Sequence, residues 1–160
     1  MAKFMPGRYT AQIEESFVIF VIGVRIHQFW KVHLWFPIII AMQKMIIELY
    51  KNKEIGFLDL KTFLSFRGVT QMQYWRSFED LERYARQGAI HLKAWKEFNQ
   101  KVAKTGAVGF YHESYVVQPG EYECMYVNMP VYGLARASKH VPVSGRLETA
   151  RGRMGKHAQH

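Results

Sequence analysis

Two histidines stand among apolar and aromatic residues, where an imidazole can act as a base, a hydrogen-bond partner or a ligand to haem iron. His112 lies in an alternating run in which Val108, Phe110, His112, Ser114 and Val116 share one side of an extended backbone. Its neighbour Glu113 points to the opposite face, so adjacency makes no dyad of the pair. His91 opens a helical run whose inward stripe holds Trp95 and Phe98. Asn99, one turn beyond Trp95, offers an amide to a carbonyl or enolate oxygen. His112, His91 and Asn99 are the catalytic candidates. Plainer roles compete with each: a histidine satisfied by a carbonyl, buried at a dimer seam or exposed in a first helical turn, and an amide on the surface.

A pocket for such chemistry needs flat apolar walls. Trp30, Trp35, Tyr74, Trp75, Trp95 and Phe98 supply ring area and N–H or O–H handles suited to an aromatic or polycyclic ligand. The competing assignment for all of them is core. Arg25 and His33 are candidates for a polar rim, with Arg25 attracting a carboxylate or enolate. Tyr126 and Asn128 belong to a late extended segment that can fold over the pocket or cross to a partner subunit.

Several function classes are disfavoured. There is no GxGxxG, phosphate loop, paired CxxC or HExxH. His27 and His33 lack the helical spacing of a shared metal site, and no metal is expected. The single cysteine, Cys124, has no obvious electropositive activator and no partner for an internal disulfide, which fits a reducing, cytoplasmic setting. The chain has 22 Lys and Arg against 13 Asp and Glu, a formal charge of +9. Much of that excess follows Ala135, in Arg136, Lys139, Arg146, Arg151, Arg153 and Lys156, opposed only by Glu148. That pattern reads as a solvated basic end, and no nucleic-acid partner is expected. The apolar stretch 17–50 is interrupted by Arg25, Lys31 and Lys44, so it reads as buried protein with neither a membrane span nor a secretory signal.

The elements that must position these residues follow from periodicity and punctuation. Residues 1–12, with Pro6 and Gly7, read as an irregular arm, and 16–25 as a central strand. Pro37 suits the first turn of a helix running to about Lys51, with the aromatic tract before it as an earlier turn bent at the proline. Residues 56–66 and 70–76 form a hairpin about Gly68. Ser77, followed by Glu79 and Asp80, caps a helix that Gly88 breaks; helical spacing then resumes through His91, Trp95, Phe98 and Val102 and closes at Gly106. Residues 107–117 are a strand, and an extended segment follows the turn at Pro119 and Gly120. The order β-α-β-β-α-β predicts an α+β, ferredoxin-like domain over 1–135, including a C-terminal extension, and a basic tail over 136–160, partly ordered or disordered. An open four-stranded sheet commonly needs a partner, which predicts a homodimer.

Several strings taken together resemble a known family: RYTA at 8–11, WKVHLWFP at 30–37, QYWRSFEDLERYAR at 73–86, HLKAWKEFN at 91–99, YHESY at 111–115 and YECMYVNMP at 122–130. They are similar to the monooxygenase-like family related to the fumagillin-pathway monooxygenase, long described as a domain of unknown function. More distantly, WRSFEDLERYA resembles the antibiotic-biosynthesis monooxygenases of the dimeric α+β barrel superfamily. The resemblance implies a dimeric α+β barrel enclosing an apolar pocket. It also implies one of three activities: cofactor-free oxygenation of a hydrophobic molecule, haem-dependent dehydration or haem turnover with His112 or His91 on the iron, or binding alone. The favoured expectation is the first, with no cofactor required.

Overall fold

The β-branched and aromatic run from Phe17 to Ile26 forms a strand with neighbours on both sides, as so apolar a sequence demands. The computed structural model describes residues 4–155. Along the chain come β1 (Arg8–Gln12), β2 (Phe17–Ile26), α1 (Val32–Lys51), β3 (Phe57–Ser65), β4 (Gly68–Trp75), α2 (Phe78–Gln87), α3 (Ala89–Lys101), β5 (Val108–Val117), β6 (Tyr126–Val127), β7 (Lys139–Pro142) and α4 (Ala150–Met154). The main sheet has the order β3-β4-β2-β5, antiparallel throughout. With α1 to α3 on one face, this is the ferredoxin-like α+β fold.

Alternation along β2 sorts its side chains. Val18 meets Leu49 of α1, Leu81 of α2, Phe57 and Trp75 in one buried cluster. Val24 meets Met42 of α1, Val102, Ala107 and Val108 in another. Trp75 is fully buried, with ring centroids 5.6 Å from Phe57 and 5.7 Å from Tyr84. Burying a side chain of this size is worth about 1.5–3 kcal/mol, so these clusters fix the helices against the sheet.

The predicted punctuation is present. Ser77 Oγ accepts from the Asp80 N–H at 3.1 Å and caps α2, and Gly88 separates α2 from α3. Ser77→Ala is expected to cost about 1 kcal/mol, a drop of roughly 2–4 °C in a thermal melt. Gly56 turns at φ +96°, and a Cβ there would collide with the Asp80 carboxylate.

Two expectations about α1 are corrected. The helix expected near Pro37 starts at Val32 and contains the proline, whose missing N–H forfeits only an early ladder bond to the His33 carbonyl. The same helix is not wholly buried: Met42 and Leu49 face inward, while Val32, Phe36, Ile40 and Ile47 are exposed. By length and composition alone it is apolar enough to cross a membrane.

The arm is also built differently from expectation, and the tail, expected to be partly ordered or disordered, is ordered over the residues described up to 155. Residues 8–12 form the central strand of a second sheet, β6-β1-β7, with Tyr9 opposite Tyr126 and Ala11 opposite His140. The chain does not become a loose end at Arg136. Arg136 pairs with buried Asp59 at 3.1 Å, β7 is laddered to β1, and the Arg153 guanidinium donates to the Leu147 carbonyl at 2.8 Å and pairs with Glu123. The remainder of the predicted tail, from 156, lies outside the described residues. This second layer packs on the sheet face opposite the helices, where Phe17 and Tyr74 meet Ala11, Leu134 and Ala135.

Candidate active site

The break between α2 and α3 determines where His91 sits. Ala85 lies in the last turn of α2, where carbonyls run out of helical partners, and its oxygen is 3.0 Å from His91 Nδ1. A carbonyl only accepts, so Nδ1 carries the proton and Nε2 holds the free lone pair. Among the described residues Nε2 has no hydrogen-bond partner. Burial pushes the His91 pKa below the ordinary 6.5, against smaller opposing effects of the Ala85 carbonyl and Glu48. The ring is therefore neutral at pH 7. A histidine depressed this way contributes stability above its unfolded value of 6.5, and that contribution is lost as pH falls through the folded value. His91→Gln is expected to flatten this part of the pH dependence of the melting temperature between pH 7 and 5.

His91 is shared by three cavities. One, about 70 Å³, lies between α1, α3 and the sheet and is lined by Ile22, Met42, Met45, Trp95, Phe98 and Phe110 among others. A second, about 50 Å³, lies deeper, with Phe20, Gln71, Gln73, Trp75 and Tyr84 in its walls. The third is an open groove of about 240 Å³ along β5, bordered by Phe78, Trp95, Phe110 and His112. Trp95 stacks on Phe98 at 5.8 Å, and Phe110 stands 5.4 and 6.0 Å from the two rings. Tyr84 Oη donates to Glu48 Oε2 at 2.9 Å, and burial followed by that bond raises its pKa, so it stays protonated.

A row of buried amides crosses the floor. Alternation along β4 places Gln71, Gln73 and Trp75 on the helix side. The Trp75 indole donates to Gln73 Oε1 at 2.9 Å, and Gln73 Nε2 donates to Gln71 Oε1 at 3.1 Å. Gln71 Nε2 is buried with no partner among the described residues, a state that costs about 1–3 kcal/mol if unmet. Sequence reasoning missed both glutamines; the signal was amides at period two inside an otherwise helix-facing apolar strand.

The structure brings some candidates together and separates others. His91, Trp95 and Phe98 surround the inner cavity, and Trp75 lies in the wall of the deep one. His112 is not buried in the layer: it is exposed on the edge strand, between Phe20 at 5.7 Å and Phe110 at 6.1 Å, at the groove's mouth. His33 borders an adjoining groove with Pro37 and Phe98. Asn99 is exposed on α3 and lines none of these cavities, and Trp30 is 76% exposed. Trp35 packs beside the Val24 cluster and donates its indole N–H to the Phe29 carbonyl at 3.0 Å. Arg25 is exposed at the end of β2, and Tyr74 faces the second sheet. Tyr126 and Asn128 are on that far side too, with Asn128 Oδ1 accepting from the Gly7 N–H at 2.9 Å. The extension thus covers the opposite face of the sheet, so of its two expected placements, over the pocket or across to a partner subunit, it does not take the first. Among the described residues no group of three or more His, Cys, Asp or Glu is placed to hold a metal.

Fold and cavity together define a ferredoxin-like domain that holds an apolar chamber, with a neutral histidine, between helices and sheet. The chain belongs to the Monooxygenase af470-like family, whose model matches residues 17–134. It is 26% identical over 152 residues to Monooxygenase af470 of Aspergillus fumigatus, across 80% of this chain and 53% of that protein. Two solved structures share the fold: an aldoxime dehydratase in complex with butyraldoxime (TM-score 0.70, 19% identity, 83% of this chain and 40% of that one) and a second aldoxime dehydratase (TM-score 0.69, 20% identity, 83% and 41%). The chain spans about half the length of the curated relative it matches.

Proposed function

We propose that this chain is a monooxygenase-type oxidoreductase acting on an aromatic or terpenoid molecule held against His91, with no bound flavin, nicotinamide or haem. The observation that carries this reading is the His91 ring itself. It is neutral, anchored through Nδ1, and presents an unpartnered Nε2 within an aromatic chamber. Such a nitrogen takes the hydroxyl proton of a phenol or enol, whose anion shares its charge with a ring carbon that still bears hydrogen. The resulting anion passes one electron to dioxygen, and the radical pair combines to a peroxide. Loss of water leaves a new carbonyl, so one oxygen atom enters the substrate and the other departs as water. Trp95, Phe98 and Phe110 give the site apolar walls against which a flat substrate aligns.

A free Nε2 also suits an axial ligand to haem iron. The expected homodimer would use the part of the far sheet face that the second sheet leaves bare. There Phe63, Thr70, Gly23 and Tyr111 lie in one row across four strands, with Phe63 and Tyr111 exposed.

The test is dioxygen uptake by the purified chain with a panel of anthrones, quinols and terpenoids, beside an absorption spectrum with and without added haem. Uptake matched to substrate consumption, with no Soret band, is the expected result. Uptake that appears only with haem and its Soret band would overturn the proposal, and ligand binding with no uptake from any panel member would favour a binding protein.

A further inference from the structure

The amide row has a direction, and the direction specifies a ligand atom. An indole N–H donates and never accepts, so Trp75 forces Gln73 to turn its oxygen toward the ring. Gln73 must then offer its nitrogen to Gln71, which answers with its own oxygen. Each amide is oriented by the one before, and the series ends in an N–H₂ group at Gln71 with no acceptor. Gln71 is only 3% exposed and lines the same deep cavity as His91. Exchanging its oxygen and nitrogen would place two donors face to face, so the polarity is built in and does not adapt to the ligand.

We infer that Gln71 Nε2 is the hydrogen-bond donor to a substrate oxygen, and that the ligand class is therefore flat apolar molecules bearing a phenolic, enolic or carbonyl oxygen on the edge that enters the deep cavity. The inference rests on the proposed use of the His91 cavity. A phenolic hydroxyl there accepts from Gln71 and donates to His91 Nε2, so one oxygen satisfies both free groups. When His91 takes the proton, the developing oxyanion keeps a donor already in place, with no reorganisation. Gln73 and Trp75 act as positioning residues through Gln71.

The probes are 1-naphthol, 1-methoxynaphthalene and naphthalene, titrated by fluorescence into the full chain. The methoxy compound accepts from Gln71 but donates nothing to His91, and naphthalene does neither. Wild type is expected to bind them in that order of decreasing affinity. In Gln71→Met the two oxygenated probes weaken by about 3- to 10-fold, the worth of a neutral hydrogen bond, while naphthalene is unchanged. Equal affinities for all three probes in wild type, or the same order and spacing in Gln71→Met, would overturn the assignment to Gln71 and leave the cavity reading standing. No binding of any probe to wild type would overturn the cavity reading itself. Should Gln71→Met lose its melt and its naphthalene binding together, Gln73→Met decides. It frees the Gln71 amide to turn over, and a preference for oxygenated probes undiminished there contradicts the relay.

Discussion

His91→Ala is expected to lower the rate of dioxygen uptake by about 10²–10⁴-fold, the usual worth of a positioned general base. The loss should appear in kcat, because Trp95, Phe98 and Phe110 still supply the apolar walls. The wild-type rate should fall as pH drops below 6.5 and the ring takes up its own proton, since burial holds its pKa beneath that value. The residual rate of the variant should lack this acid limb. His112→Ala is expected to change the rate only a few-fold, because His112 is exposed at the mouth of the groove. The reverse pattern, with His112→Ala inactive and His91→Ala active, would move the base to the edge strand.

Phe17→Ala is expected to be the most damaging single truncation on the other side of the sheet. Phe17 is 1% exposed, stands edge-on to Tyr122 at 5.4 Å and packs against Tyr74, Leu134 and Ala135. Removing a buried phenyl costs about 3–5 kcal/mol, a large part of the roughly 5–15 kcal/mol that holds a domain of this kind. Its side chain points away from the His91 cavity, so ligand affinity of the folded fraction should not change. A melt within about 1 kcal/mol of wild type would mean that the segment around Leu134 and Ala135 is not an integral layer.

How far the sequence was readable depended on whether the signal was local. Alternation in 17–26, the hairpin at Gly68, the Ser77 cap and the break at Gly88 all act between near neighbours, and each appears in the structure. His91 was legible as a candidate because helical spacing ties it to Trp95 and Phe98. The second sheet was not legible: its strands are short and join Tyr9 to Tyr126 and Ala11 to His140, pairings that no local pattern encodes. For the same reason the basic segment after Ala135 read as a tail, although Arg136 reaches back to Asp59 and β7 to β1. Tyr74 and Trp75 looked equivalent as adjacent aromatics, yet strand geometry sends one to the second sheet and the other to the cavity wall. Gln71 and Gln73 do not stand out in the sequence because their meaning depends on the indole of Trp75, which orients them only once all three share a face.

The proposed chemistry depends on the state of the His91 ring. Imidazole ¹⁵N NMR of the histidine-labelled chain, titrated with pH and then with 1-naphthol, reads it directly. The predicted result is a His91 protonated on Nδ1, titrating below 6.5, whose Nε2 resonance moves when the phenol binds. A His91 that carries its proton on Nε2, titrates above 6.5 or ignores the phenol would contradict it.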